Sequence, residues 1–245
     1  MEHQDRRAAL VSIAGVAIAG SAFALSGCTK GNDEHEEKGA TEVEVTANED
    51  LMREHGVLRR ILIIYREVAP KLIANATSVD AAALASAAKL FQAFGERYHE
   101  QLLEEQHIFP IVRKAGGDAA GLVDALLAQH ARGREITAYI LDRTKTGRVG
   151  SADAPTIAKV LTAFSRMYEP HTAREDTIIF PALKNVVGPK GYDELGDQFE
   201  DIERKEFGGD GFGMAVQKIA GLEQRLGTAN LASFTAPPIG SVGSS

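Results

Sequence analysis

Four histidines, His55, His99, His130 and His171, each fall where apolar residues recur every three or four places, so each imidazole faces the interior from its own helix. A lone histidine on an apolar face is usually a satisfied core residue. Four of them, one per helix, make a cluster of nitrogen ligands, and helical bundles build metal sites in such interiors. Glu175 adds to the case. It shares a stripe with Met167, His171 and Ile178, and a carboxylate facing a core is costly unless a cation neutralises it.

The chain also repeats itself. The segment Glu104-Glu105-Gln106-His107-Ile108-Phe109-Pro110 aligns with Glu175-Asp176-Thr177-Ile178-Ile179-Phe180-Pro181, and His55 precedes His99 by 44 residues where His130 precedes His171 by 41. This pseudo-two-fold duplication implies two equivalent metal half-sites, one fed by His55 and His99 and the other by His130 and His171, with Glu104 and Glu175 joining the two ions. Histidine with carboxylate and without thiolate suits iron or manganese, with zinc admitted, and a pair of ions points to two non-haem irons.

One spacing needs a distortion. Successive residues of an ideal helix turn by about 100°, so Glu175 lies ~40° round from His171 while Glu104, five residues after His99, lies ~140° away. His99 to Pro110 spans 11 residues and His171 to Pro181 spans 10, so the first copy carries one residue extra. The expectation is a single-turn π-bulge between His99 and Glu104 that turns Glu104 inward. In a regular helix Glu100 or a water would take its place.

The elements that must position these groups are all helical, with no convincing strand alternation. The first helix starts after Thr46, in a capping box Thr46-Ala47-Asn48-Glu49, and runs to about Ala74. A second extends from near Thr77 to Gly116, bent at Pro110; a third follows Asp118 as its cap and stops near Thr146; a fourth runs from about Asp153 to Gly188-Pro189. The expected fold is therefore an all-α four-helix bundle over residues 47–190, with shorter helices over 191–226 packed on it and a Gly/Ser/Ala/Pro-rich tail over 227–245.

The first 28 residues differ in kind. Arg6-Arg7 precedes the apolar run Ala8 to Leu25, and Leu25-Ser26-Gly27-Cys28 resembles a bacterial lipobox, in which cleavage leaves a lipid-bearing Cys28. The reading is an exported, membrane-anchored lipoprotein facing the periplasm or cell exterior, tethered by the charged linker 29–46; an uncleaved signal anchor is the alternative. Cys28 is the only cysteine, so it forms no internal disulfide. A formal charge of -7 gives no basic footprint for nucleic acid.

The set His55, His99 with Glu104, His130, and His171 with Glu175, each carboxylate followed by a Phe-Pro pair, resembles the hemerythrin-like (HHE cation-binding) family over roughly residues 48 to 188. The resemblance implies an up-down-up-down bundle holding two irons joined by carboxylates, with those six residues as ligands by position. Two departures stand out. Oxygen-carrying members place a second histidine four residues after the third-helix one, where this chain has Arg134, which leaves four histidines and a more open centre. Their fourth-helix carboxylate comes five residues after the histidine, at Asp176 here; helical geometry favours Glu175, with Asp176 as the substitute.

Tyr98 and Tyr168 flank the ligand positions as hydrogen-bonding neighbours. His107 reads as a packing or surface residue; Glu200 and Glu203 could reach the site as extra carboxylates, but read first as a solvated face. The functional expectation is a di-iron protein that binds or reacts with oxygen, peroxide or nitric oxide in oxidative or nitrosative stress defence. Its alternatives are a reversible oxygen-binding or sensing module, and a metal-free scaffold.

Overall fold

A computed structural model describes residues 45–239. The expected signal segment, Cys28 and nearly all of the 29–46 linker lie outside the described residues. Residues 47–239 form one compact unit. Among the described residues there is no strand, and no helix is long and apolar enough to cross a membrane.

Helix α1 is Ala47–Asn75, with Glu49 and Asp50 in its first turn where the helix dipole favours negative charge. Its buried face carries Leu51, His55, Leu58, Leu62 and Tyr65 in line, joined by Ile61, Val68 and Leu72. Helix α2 is continuous but changes its winding: Ala81–Leu90 is α-helical, Phe91–Ile108 is π-helical, and Phe109–Ala115 is α-helical again. Gly116 and Gly117, both at positive φ, break the chain before α3, Gly117–Thr144. Asp118 thus falls in the first turn of α3 rather than at its cap.

Helix α4 begins at Ala154–Arg174, passes through a π turn at Glu175–Ile179, and continues from Phe180 to a kink at Gly188 (φ 69°, ψ 176°). Residues 189–207 form α5, and Gly211–Leu226 forms α6. The four long helices enclose one apolar core that includes Tyr65, Phe91, Phe94, Phe164 and Tyr168, giving the expected all-α bundle.

The later helices pack on α1 and α2. On α6, Glu223 receives both arms of the Arg60 guanidinium at 2.8 and 2.6 Å, and Arg225 reaches the α2 cap residue Asp80 at 2.8 Å. On α5, the Tyr192 hydroxyl accepts the Asn48 N–H at 2.5 Å, and the Phe207 ring meets Tyr98 edge-on at 5.2 Å.

Two local outcomes differ from the spacing argument. The distortion in α2 is 18 residues of π-helix rather than a single bulged turn, and a second π turn follows His171 where regular helix was expected. In both places an N–H bonds five residues back, Phe109 to Glu104 and Phe180 to Glu175. This wider winding brings residues five apart towards one face. Pro110 and Pro181 sit at the start of the α-helical stretch that follows each π section, where a missing N–H costs little, and α2 runs on through Pro110 unbroken.

Candidate metal centre

The structure brings His55, His99, Glu104, His130, His171 and Glu175 into one small buried volume, each with no more than 3% of its surface exposed. The imidazoles meet in pairs through their inner nitrogens: Nε2 of His55 lies 2.9 Å from Nε2 of His99, and Nε2 of His130 lies 3.1 Å from Nε2 of His171.

Both glutamates straddle the pairs. Glu104 places Oε1 3.4 Å from His99 Nε2 and Oε2 3.4 Å from His130 Nε2. Glu175 places Oε2 3.5 Å from His55 Nε2 and Oε1 3.2 Å from His171 Nε2. All four of these carboxylate oxygens are buried without a hydrogen bond.

Each imidazole is held from behind. Nδ1 of His55 donates to Asp176 at 2.6 Å, that of His99 to Glu54 at 2.6 Å, that of His130 to Glu105 at 2.9 Å, and that of His171 to Gln129 at 2.8 Å. An acceptor on Nδ1 fixes the tautomer that leaves the Nε2 lone pair facing inward. Arg59 is paired with Asp176, and Arg134 with Glu105, one turn after His55 and His130 respectively. The Phe-Pro endings also acquire a reason. Phe180 stacks on His55 at 5.4 Å and Phe109 on His130 at 5.5 Å, closing the volume against water.

Burial and charge shape the protonation of the cluster. Burial opposes a charge on His99, yet the Glu104 and Glu54 carboxylates raise it well above its ordinary value. Burial likewise opposes a charge on His130, which Glu100, Glu104 and Glu105 raise to about 10. His171 is lowered to about 4 by burial and by His130. Glu175 is held well above the usual carboxylate range by burial and the Glu104 charge, whereas His99 and His130 overcome burial at Glu104 and hold it well below.

The remaining expected residues sit in a surrounding layer. Asp176 turns to His55 Nδ1 rather than into the cluster. Glu100 also stays outside it, accepting the Tyr168 hydroxyl at 2.7 Å. The Tyr98 hydroxyl donates to Glu54 at 2.9 Å. Arg134 points to Glu105 and Glu100, away from the inner nitrogens. His107 is partly exposed, with its ring 6.1 Å from Phe199.

Two expectations fail. Glu200 and Glu203 are buried, not solvated, because α5 folds back against the bundle; Glu203 Oε2 lies 3.4 Å from the Tyr98 hydroxyl and Oε1 accepts the Phe212 N–H at 2.6 Å. Ile178, placed on the inner stripe of α4, is 37% exposed because the π turn rotates it outward.

The outer residues Glu54, Gln129, Glu105, Arg59 and Arg134 were not singled out as neighbours of the histidines. Their signal is the repeat itself, since each stands at a fixed offset from an inner residue in both copies.

The sequence model of the hemerythrin HHE cation-binding domain matches residues 46–183. The chain is 42% identical over 226 residues to the uncharacterized proteins Rv1995 of Mycobacterium tuberculosis and Mb2018 of Mycobacterium bovis, an alignment covering 89% of this chain and 87% of each relative. No solved structure matches.

Proposed function

The chain belongs to the hemerythrin HHE cation-binding family, and on that premise we propose that its buried cluster holds two non-haem irons that bind or react with a small ligand: oxygen, peroxide or nitric oxide. His55 and His99 hold one ion, His130 and His171 the other, and Glu104 and Glu175 reach both. The observation that carries this reading is the set of four buried carboxylate oxygens that no protein donor satisfies, enclosed by four inward nitrogens. Such oxygens are tolerable beside cations and costly without them.

The donor set fits. Imidazole nitrogens and carboxylate oxygens without a thiolate suit iron or manganese, with zinc admitted.

Bound iron supplies a redox-active cation with positions left for an exogenous ligand. The chain's own residues do the rest. Asp176, Glu54, Glu105 and Gln129 orient the four rings, Phe109 and Phe180 exclude water, and Glu54 and Glu100 hold the Tyr98 and Tyr168 hydroxyl protons just outside the centre. Arg134, standing where oxygen carriers have a fifth histidine, is turned to Glu105. That supports a centre with more room for a reacting ligand, and a role in oxidative or nitrosative defence.

Export rests on the apolar run Ala8 to Leu25 closing on Cys28. That segment supports a centre outside the cytoplasm on a lipid anchor; a mature protein whose first residue is not a lipidated Cys28 would refute the anchor. For the centre, metal analysis and the optical spectrum come first. Stopped-flow mixing of iron-loaded protein with oxygen, peroxide and nitric oxide should then show a reaction with at least one. Inertness to all three ends the reading, and reversible oxygenation without product would make the protein a carrier or sensor instead.

A further inference from the structure

In the groups bonded to the imidazole Nδ1 atoms, the two halves of the cluster match in kind at every position but one. His55 and His130 correspond, each with a carboxylate on Nδ1 (Asp176, Glu105) and an arginine on that carboxylate (Arg59, Arg134). His99 and His171 correspond as well, and each Nδ1 meets the residue that precedes the partner histidine. For His99 that residue is Glu54, a buried carboxylate; for His171 it is Gln129, an uncharged amide. The His55–His99 half therefore has two carboxylates bonded to its imidazoles, and the His130–His171 half has one.

We infer that this difference makes the two metal positions unequal: the His55–His99 position takes a divalent cation first and holds it more tightly, and Glu54 sets that order. A carboxylate hydrogen-bonded to an imidazole raises the ring's basicity as a ligand and adds a full negative charge in a volume closed to water. An amide contributes only a dipole. The competing charge on the other side is Glu100, which groups with Glu105 and His130. It bonds no imidazole; it receives the Tyr168 hydroxyl at 2.7 Å and lies 3.5 Å from Arg134. The first half, by contrast, has the buried Glu203 behind Glu54 and Tyr98, reinforcing the negative side.

The inference rests on the dinuclear reading above, and one titration separates the two. The metal-free protein is titrated with cobalt(II) without oxygen, followed by visible absorption and calorimetry. Fewer than two ions at saturation refutes the dinuclear reading itself. Two ions in steps at least tenfold apart is the expected result, since outer partners of this kind change metal affinity ten- to a hundredfold. His171→Ala should keep the tight step and lose the weak one, and His99→Ala the reverse. Glu54→Gln should weaken the tight step ten- to a hundredfold and merge the two, while Gln129→Glu should strengthen the weak step by a similar factor. A general loss of structure cannot produce that opposite movement, so Gln129→Glu decides the matter even if Glu54→Gln does not fold. Two ions of equal affinity in the unaltered protein, a tight step that survives His99→Ala, or a weak step indifferent to Gln129→Glu would overturn the inference.

Discussion

The Tyr168 hydroxyl occupies the volume that a methyl group on Gly133 would need. The ring of Tyr168 is buried between Phe91 and Phe164, so it cannot swing clear, and its hydroxyl is tied to Glu100. Gly133→Ala should therefore destabilise the protein, overpacking of ~1–3 kcal/mol outweighing the ~0.8–1.0 kcal/mol of helix propensity that alanine brings. Gly121→Ala, on the same helix with open space around its Cβ, should instead raise stability by up to ~1 kcal/mol. Chemical denaturation of both variants checks the contrast; equal effects would mean that Tyr168 does not require the glycine.

Glu175→Gln separates metal binding from folding. The Glu175 carboxyl is held as the neutral acid in the ion-free protein by burial and by Glu104, so an amide of the same shape leaves metal-free thermal stability unchanged. With Glu175 as a direct ligand, as proposed, metal affinity should fall by more than the ~10–100-fold typical of outer partners. A drop in the metal-free melting temperature with full metal content would reverse the assignment.

Glu96 gives stability a pH slope. It is buried on α2, its Oε1 makes no hydrogen bond, and burial pushes its pKa up to about 7. The folded state therefore keeps a proton that the unfolded chain releases above pH ~4.5. The resulting stabilisation is complete below the unfolded value and is lost as pH rises through 7, amounting to on the order of 3 kcal/mol. Glu96→Gln should remove that decline between pH 4.5 and 7; an unchanged slope in the variant would show that another group sets it.

Arg59 and Arg134 should act as equivalent supports. Removing either leaves its carboxylate, Asp176 or Glu105, free to turn from the Nδ1 it holds. Arg59→Ala should weaken the His55–His99 position and Arg134→Ala the His130–His171 position, each about tenfold, in metal titrations. An effect confined to thermal stability would make them surface ion pairs of little consequence.

Much of the site was legible because its inner residues obey periodicity. His55, His99, His130 and His171 each lie on an apolar stripe, and a one-residue surplus before Pro110 is enough to demand a π distortion. The extent of that distortion was not legible, since i→i+5 bonding once begun can pass from residue to residue without any local mark. The turn at Glu175–Ile179 was missed for the opposite reason: four residues from His171 to Glu175 already satisfy an ordinary helix, so nothing called for a change of winding. Glu200 and Glu203 misled because their burial depends on α5 returning across the bundle, a tertiary event that adjacent charges in a sequence disguise as a wet surface.

The stretched winding of α2 leaves the centre exposed to one kind of accident. Should the backbone between His99 and Glu104 relax into its preferred coil, neither hydrophobicity nor charge pattern would register the change. The outcome would be a sturdier rod with a carboxylate facing the wrong way. The pitch of that rod, more than the chemical alphabet it is written in, is what keeps the carboxylate turned towards the histidines.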